Sequence, residues 1–489
     1  MLTLSVTAPR GAADNSATGM PWLDQLIAAT RPHRQQRALS AALSRSTLAP
    51  VPDPVPDTAA LPNHVDTVVI GGGIIGAATA YFLAERGMSV ALCEKHEIAC
   101  EQSSRNWGWC RQMGRDPREL PLIVESLKLW RSMDARLGEP TGFTPSGILY
   151  LCETEAELAA KAAFLEHARL HQLDTRMVSG AEAERLQPGC TRTWAGGLYT
   201  PSDGRAEPQK AAPAFARAAR RRGASIHLNC AVRGLETSAG RLSAVVTERG
   251  TIRCNSAVLA GGAWSRLFCG PIGIALPQLG VVNSVMRTQP LDAGVERSMA
   301  GGKFAVRKRQ DGGYTVAHRH LSVADLVPDS FRLFFKFLPA LRMDWRGLRL
   351  RLGRRFLEDM SLARHWQLDQ VSPFEMVRVL DPLPVTSILR QAFEGLGSYF
   401  PRFREARISE SWAGLIDATP DAVPVIDEVS KLPGFFLATG FSGHGFGIGP
   451  GAGRLMADLV SGNRPIVDPR PFRYSRFIDG SHLVPITGI

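Results

Sequence analysis

Residues 68–76 read Val68-Val69-Ile70-Gly71-Gly72-Gly73-Ile74-Ile75-Gly76. An apolar run typical of a buried strand leads into the glycines, and an alanine-rich stretch typical of a helix follows. Gly71 permits a tight turn, Gly73 lets a diphosphate approach the backbone, and Gly76 lets the helix pack on the strand. Free N–H groups of the first helical turn, at Ile74 and Ile75, favour phosphate. The stretch therefore predicts a dinucleotide-binding strand–turn–helix unit.

The second strand of this unit, Met88–Cys93, ends at Glu94, 23 positions after Gly71. A carboxylate at this distance can accept hydrogen bonds from both hydroxyls of a ribose. It also repels a 2′-phosphate, which disfavours a phosphorylated nicotinamide cofactor. We expect Glu94 and the adjacent Lys95 to contact the dinucleotide.

Two further segments favour a flavin cofactor over a nicotinamide cofactor. Polar side chains at Gln102-Ser103-Ser104-Arg105-Asn106 follow the second strand and can bind phosphate and the flavin edge. A glycine-rich run at 438–447 precedes a helix predicted at 450–460. The positive end of that helix would stabilise the negative charge on a reduced flavin. The alternative is a plain glycine-rich loop that packs on the first strand.

The composition is that of a globular protein, with 489 residues, 44% of them hydrophobic and 21% charged. A net charge of +11 fits an arginine-rich surface or an anionic ligand, and no nucleic-acid-binding module is recognisable. The eight cysteines form no C-x-x-C pair and show no metal-type spacing, so we expect no metal site and a reducing compartment. No apolar run is long enough for a membrane-spanning helix.

The order of strands and helices predicts an α/β fold, in which a Rossmann-type nucleotide-binding domain is interrupted by a second α+β substrate domain with a mainly antiparallel sheet. We expect an N-terminal extension and Pro-rich linker, with basic residues at Arg31–Arg45, before the domains begin. The predicted segments are the extension at 1–64, the nucleotide-binding domain at 65–145, 206–275 and 406–475, the substrate domain at 146–205 and 276–405, and a tail at 476–489.

A basic, aromatic insertion at 329–360 stands out within the second substrate segment. The segment 331–356 contains eight arginines and lysines but only one acidic residue, Asp344, and phenylalanines and a tryptophan are interleaved with them. We interpret it as a helix pair with arginines facing water, because Pro339 interrupts the pattern. Contact with a membrane surface through 331–356 is the alternative.

Together these segments resemble the D-amino-acid oxidase superfamily of FAD-dependent oxidoreductases, which includes glycine oxidase, sarcosine oxidase and D-amino-acid dehydrogenase. The resemblance runs from about Asp66 to Asn463. It rests on Val69–Lys95, Ser103–Asn106, the run Val258–Ser265 that reads VLAGGAWS, and Trp412–Gly462.

The resemblance implies a set of FAD contacts beyond those of the dinucleotide motif. Val232 would meet the adenine, Ser103 and Ser104 the pyrophosphate, and Asn106 the flavin ring. The remaining implied contacts are Gly261, Gly262, Trp264, Gly443, Gly445, Phe446 and Gly447.

Departures from the family pattern restrict the substrate site. Some relatives have an arginine that clamps the substrate carboxylate where this chain has Ile416. Monomeric sarcosine oxidases attach flavin to a cysteine where Gly414 or Leu415 stands, and Gly447 replaces their lysine. We therefore expect non-covalent FAD and a differently built substrate site.

The reaction that the resemblance implies is oxidation of the C–N bond of an amino acid or secondary amine. Hydride moves to flavin N5, and the resulting imine hydrolyses. We expect Arg111 to anchor the substrate carboxylate, with pairing to Asp116 or Glu119 as the alternative. His444 is expected to tune the flavin or contact substrate, or else to be a buried structural histidine.

The electron acceptor would be O2, a quinone or a partner protein, and the compartment the cytoplasm, with possible contact at the inner membrane face. The alternative function is a flavoprotein subunit that passes electrons to a partner or quinone.

Overall fold

The computed structural model describes residues 49–486. The predicted basic segment Arg31–Arg45 lies outside this range. The described end of the extension packs on the nucleotide-binding half of the molecule, because the amides of Asp53 and Thr58 donate to the carbonyls of Gln209 and Ile226. Val55 is buried in the same core.

Strands and helices alternate through most of the chain. The strands are β1 His64–Ile70, β2 Val90–Cys93, β3 Trp109–Cys110, β4 Ile148–Cys152, β5 Arg176–Ser179, β6 Gly196–Thr200, β7 Gly204–Arg205, β8 Ser225–His227, β9 Val232–Ser238, β10 Arg241–Thr247, β11 Gly250–Leu259, β12 Leu279–Thr288, β13 Ser298–Gly301, β14 Phe304–Lys308, β15 Tyr314–His318, β16 Ser322–Asp325, β17 Leu348–Arg351, β18 Ile408–Ala418, β19 Val425–Glu428 and β20 Phe435–Thr439.

The α-helices are α1 Ile74–Glu85, α2 Gln102–Arg105, α3 Leu120–Leu137, α4 Glu155–Ala162, α5 Phe164–Leu170, α6 Gly180–Leu186, α7 Pro208–Arg221, α8 Ser265–Cys269, α9 Pro328–Arg332, α10 Phe334–Asp344, α11 Arg354–Ser361, α12 Pro373–Met376, α13 Thr386–Tyr399 and α14 Gly445–Val460. Short 3₁₀ helices occur at Gly262–Trp264, Pro401–Glu405, Arg470–Phe472 and Tyr474–Phe477.

The first sheet has the parallel centre expected of a dinucleotide-binding fold. Its strands run in the order β19-β20-β11-β1-β2-β8, and all neighbours from β20 to β8 are parallel. A β9–β10 hairpin continues from β11 on one side. The centre of β1 is fully buried, because helices α1, α7 and α14 pack on the side of Val69, and the β9–β10 hairpin and α8 pack on the side of Val68 and Ile70.

Helix α14 packs closely on α1 and α3 through glycines one turn apart. A Cβ on Gly453 would lie 2.5 Å from the Ala78 Cβ, and one on Gly449 would lie 2.8 Å from the Ile74 side chain. A Cβ on Gly451 would lie 2.9 Å from the carbonyl oxygen of Leu122, on α3. Only hydrogen fits at these positions, so the glycines fix the distance between the helices.

The second sheet is mainly antiparallel, in the order β17-β16-β12-β15-β14-β13-β4-β6-β5, with β18 paired to β12. The pairs β4–β13 and β16–β17 are parallel. One face packs on α13, where Phe304 and Tyr314 are buried against Leu389 and Phe403. The opposite face carries Tyr150 among the tryptophans that precede β4. This second face looks toward the first sheet.

The structure is thus a mixed α/β fold with one mainly parallel and one mainly antiparallel sheet, as predicted. The domain boundaries stay a prediction, and one of them disagrees with the strand pairing. Residues from 406 were assigned to the nucleotide-binding domain, but β18 pairs with β12 along its length. Its β-branched and apolar residues suit either sheet, so the sequence pattern did not distinguish them.

The insertion 329–360 is not a simple helix pair, since α9, α10, β17 and α11 follow one another there. Helix α10 continues through Pro339. The hydrogen bond that proline removes would fall on the carbonyl of Phe335, a residue whose side chain is 85% exposed, so water can replace it. Among the helices of residues 49–486, none has both the length and the apolar character needed to cross a bilayer.

Candidate active site

A long cavity opens at the carboxyl ends of β1, β2 and β11, where open α/β sheets bind their ligands. Fifteen of the predicted cofactor contacts lie on its wall. They are Gly71, Gly73, Ile74, Ile75, Glu94, Lys95, Ser103, Asn106, Val232, Gly261, Gly262, Trp264, Gly443, Gly445 and Phe446.

The bend after β1 has the close backbone packing that the glycine spacing predicts. Gly71 has φ +107°, a conformation that favours glycine, and a Cβ there would lie 2.5 Å from the Ala260 carbonyl oxygen. A Cβ on Gly76 would lie 1.9 Å from the Gly71 carbonyl oxygen. Gly76 is absent from the cavity wall, so its role is to bring α1 against β1. Gly71 and Gly73 of the bend lie on the cavity wall, so the backbone itself borders the cavity there.

Glu94 is held at the end of β2 by two backbone amides. Its Oε2 accepts from the Gly72 amide over 2.6 Å, and its Oε1 accepts from the His96 amide over 3.0 Å. Burial raises the pKa of Glu94, against the opposing effect of the Gly72 hydrogen bond. The carboxylate is therefore fixed in place beside the diphosphate bend, as ribose binding requires.

Lys95 and Trp264 meet at a carboxylate that sequence reasoning missed. Glu101 accepts from Lys95 Nζ over 2.9 Å and from Trp264 Nε1 over 3.0 Å, and Lys95 Nζ lies 3.8 Å from the Trp264 ring centroid. Glu101 lies on the cavity wall and precedes α2 directly. Its position next to the polar Gln102–Asn106 run was the available signal.

Two other residues of the cavity wall were not singled out individually, since Gln102 was expected only as part of the polar run 102–106 and Asp417 only as part of the block 412–462. Gln102 has a buried Oε1 without a hydrogen-bond partner among the described residues. Asp417, on β18, accepts from the Gly440 amide over 2.7 Å, and burial raises its pKa to about 6. Both lie inside segments that the sequence singled out, but nothing in their spacing distinguished them from their neighbours.

Ser104 and Gly447 were predicted to bind the cofactor, and neither lies on the cavity wall. Ser104 is fully buried, and its Oγ donates to the Glu101 carbonyl oxygen. A Cβ on Gly447 would lie 3.0 Å from Cys110 Cα, so this glycine serves the packing of α14 on β3. Their positions do not support these two predictions, because adjacent residues of a helix point in different directions, and a role of either residue in FAD binding stays a prediction.

The side chain of His444 is also missing from the cavity wall, although both neighbouring glycines lie on it. His444 Nδ1 lies 3.0 Å from Glu119 Oε2, and both side chains are buried. Burial lowers the pKa of His444 and so favours the neutral ring. This geometry corresponds to the structural alternative, and a catalytic role for His444 stays an untested prediction without support from its position.

Arg111 follows β3 and does not pair with Asp116 or Glu119, the alternative considered for it. Its guanidinium donates to the Met113 carbonyl oxygen and lies 5.8 Å from the Tyr150 ring centroid. Its loop is fixed by Asp203, which accepts from the amides of Gln112 and Met113. Like His444, Arg111 is not on the cavity wall. Among the described residues it forms no ion pair, although its charge interacts with the buried carboxyl group of Asp203.

The cavity fits an adenine dinucleotide with an attached ring system. Gly262 lies on the wall with φ +51°, and a Cβ there would meet no atom within 4 Å, so its backbone borders open space. The buried Gln102 Oε1 offers a hydrogen-bond acceptor without a partner elsewhere on the wall.

The family profile of the FAD dependent oxidoreductases, DAO, matches residues 66–459. The chain belongs to this family.

Two relatives resemble the chain over most of its length. Mitochondrial sarcosine dehydrogenase of Mus musculus is 24% identical over 98% of this chain and 48% of its own length. Sarcosine oxidase subunit beta of Arthrobacter is 24% identical over 86% of this chain and 92% of its own length. The chain spans about half the length of the first of these relatives.

A solved DAO-family structure matches more closely. The L-amino acid deaminase of Proteus myxofaciens, in complex with anthranilate, is 34% identical and superposes with a TM-score of 0.84 over 88% of this chain and 97% of that chain. The predicted superfamily is thereby confirmed, and the chain is an FAD-binding oxidoreductase.

Proposed function

We propose that the chain oxidises the C–N bond of an amino acid or secondary amine, and that the imine product hydrolyses after release. Bound FAD supplies the acceptor for the hydride that leaves the carbon next to nitrogen. The protein supplies orientation and electrostatics. The observation that carries the proposal is Arg111, which forms no ion pair among the described residues and whose loop contacts the first turn of α14, the helix that begins at the FAD cavity. Relatives named for sarcosine and for L-amino acids support the same chemistry.

Arg111 is the proposed anchor for the substrate carboxylate. Its backbone amide lies 3.4 Å from the position of a Cβ on Gly447, in the first turn of α14, so the loop borders the helix that begins at the cavity. A planar guanidinium can bind a carboxylate through two hydrogen bonds. Such an anchor would hold the reacting carbon against the flavin without taking part in the chemical step.

We further propose that FAD is bound without a covalent bond. The cavity wall carries two cysteines, Cys93 and Cys100, and both lie near Glu94, at the ribose end. Burial raises the pKa of Cys100 to about 12, which keeps it a thiol at neutral pH. Acid precipitation of the purified protein should leave its FAD in the supernatant, and flavin in the pellet would contradict this.

The test of the function is a panel of amines and amino acids mixed anaerobically with the yellow protein. A substrate should bleach the flavin absorbance, and Arg111→Ala should raise the saturating concentration at least about tenfold for a carboxylate substrate. An FAD-loaded protein that no member of the panel bleaches would contradict the proposal. Peroxide formed after admission of air would identify O2 as acceptor, and its absence would favour a quinone or partner protein.

The insertion supports a peripheral membrane contact, which would also bring a quinone acceptor within reach. Phe335 is 85% exposed and Trp345 is 63% exposed, next to the basic side chains of 331–356. Phe337 and Leu348 of the same insertion pack against Ile416, on the strand that lines the cavity. We place the protein in the cytoplasm at the inner membrane face, since its eight unpaired cysteines suit a reducing compartment.

A further inference from the structure

Three positively charged side chains surround the ring of Tyr150 on β4. Lys161 Nζ lies 5.1 Å from the ring centroid, and the guanidinium carbons of Arg111 and Arg319 lie 5.8 Å from it. The three come from separate parts of the chain: the loop after β3, the end of α4 and the residue after β15. The fold therefore assembles this cluster, and no local sequence pattern produces it.

None of these three cations forms an ion pair with an acidic side chain within residues 49–486. Arg111 donates to the Met113 carbonyl and Arg319 to the Leu151 carbonyl, neither of which carries a full negative charge. Burial lowers the pKa of Lys161, and the positive charges of Arg319 and Arg111 lower it further. A ring face attracts a cation only weakly, so the three positive charges lie near one another without a carboxylate in direct contact.

The cluster lies on the face of the second sheet that packs against Trp107 and Trp109, the residues that follow Asn106 of the cavity wall. The Tyr150 ring is 6.1 Å from Trp109, and Trp109 is 5.4 Å from Trp107. Trp107 follows Asn106, which lies on the cavity wall. All four members of the cluster are partly exposed, so a solute can reach them. An anion bound here would sit next to a substrate held by Arg111.

We propose that Lys161 and Arg319 bind a second anionic group of the substrate, so that the enzyme prefers amino acids with an acidic side chain or an N-carboxyalkyl group. The inference rests on the proposed function, since it extends the substrate of the same site. One α-carboxylate can neutralise Arg111, but it leaves the other two charges on the Tyr150 ring without a counter-ion. A second carboxylate supplies the missing negative charge.

The test compares acidic amino acids with their amides, which have nearly the same size and shape. Glutamate and glutamine, and aspartate and asparagine, are each mixed as both enantiomers with the FAD-loaded protein under anaerobic conditions. In each pair, the acidic amino acid should saturate flavin bleaching at a concentration at least tenfold lower than its amide does. Iminodiacetate and sarcosine form a third pair. Equal saturation within every pair would overturn the inference and leave the proposed function intact.

Variants test whether Lys161 and Arg319 cause the preference for acids over amides. Lys161→Gln and Arg319→Gln should each lower the acid-to-amide preference about tenfold, whereas Lys431→Gln and Arg169→Gln, at exposed positions, should leave the ratio unchanged. An unchanged ratio in both cluster variants would contradict the assignment to these residues.

A binding measurement separates this inference from the proposed function. Calorimetric titration of the FAD-loaded protein with glutarate and with butyrate needs no turnover. Tighter binding of glutarate that is lost in Lys161→Gln, in a protein that no amine bleaches, would uphold the anion site and reject the oxidase. Equal binding of the two acids would reject the anion site alone.

Discussion

The backbone amide of Ile74 donates a hydrogen bond to Ser103 Oγ over 2.9 Å. This bond joins the first turn of α1 to α2, two segments that the sequence treats as independent cofactor contacts. The hydroxyl thereby stands at the N-terminus where a diphosphate is expected. Its neighbour Ser104 is turned into the core.

The two adjacent serines offer a matched pair for FAD binding. Ser103→Ala should weaken FAD affinity roughly fivefold, the usual effect of one lost hydrogen bond. Ser104→Ala should leave the FAD dissociation constant within about twofold, because its Oγ does not reach the cavity. Quenching of flavin fluorescence during titration of the apoprotein measures both, and equal effects would contradict this description of the site.

Gly76→Ala should destabilise the protein and abolish tight FAD binding. The added methyl group would fall 1.9 Å from the Gly71 carbonyl oxygen, so α1 must move away from β1. Gly395→Ala, in α13, is the control. Its Cβ would lie 3.4 Å from the Lys303 side chain, and alanine is more favourable than glycine in a helix by about 1 kcal/mol. Urea unfolding and FAD titration should show loss in the first variant and none in the second.

We predict that the stability of the protein falls as pH rises, because of the buried carboxyl group of Asp203. Burial raises its pKa to about 7, whereas an unfolded aspartate titrates near 4, so between these values the folded state holds a proton that the unfolded chain has lost. The free energy of unfolding should therefore fall as pH rises from about 4 to 7, by up to about 1.4 kcal/mol per pH unit.

Asp203→Asn removes this titration while keeping an acceptor for the Gln112 amide. The variant should gain stability relative to wild type when urea unfolding is moved from pH 5 to pH 7.5. Parallel pH profiles of the two proteins would show that Asp203 is ionised in the folded state throughout this range.

The buried pair of His444 and Glu119 should show strong coupling in a double-mutant cycle. His444→Leu leaves a buried carboxylate without its donor and should cost about 3 kcal/mol of stability. The double variant His444→Leu, Glu119→Leu should cost less than the sum of the single changes. Additive losses would mean that the contact between the two residues contributes nothing, and would reopen a catalytic role for His444.

The exposed aromatic residues of the insertion predict binding to anionic lipid. Vesicles rich in phosphatidylglycerol should sediment the wild-type protein, while the variant Phe335→Ser, Trp345→Ser should bind several-fold less. Leu170→Ser, at an apolar position that is 72% exposed on α5, should bind as wild type does. Binding equal to that of neutral phosphatidylcholine vesicles would argue against a membrane contact.

The site residues that the sequence predicted best are those whose positions depend on neighbours close in the chain. The glycines of the first bend and Glu94 were found because a strand, a turn and a strand fix their relative positions. Glu101 was missed, and Gln102 was expected only as part of a polar run, because their orientation depends on how α2 lies against the cavity. The cations around Tyr150 were not anticipated as a group, since three distant segments bring them together. Strand β18 was assigned to the wrong sheet because its residues suit both.

The interleaving of the two sheets has a consequence for synthesis of the chain on the ribosome. Strand β12 pairs with β18, and β11 pairs with β20, so the second sheet is incomplete until residue 418 has emerged and the first sheet until residue 439 has emerged. Until then both strands expose unpaired backbone edges, which are prone to aggregation. A nonsense mutation even late in the message should therefore yield insoluble material that chaperones or proteases must clear, and no partly active fragment.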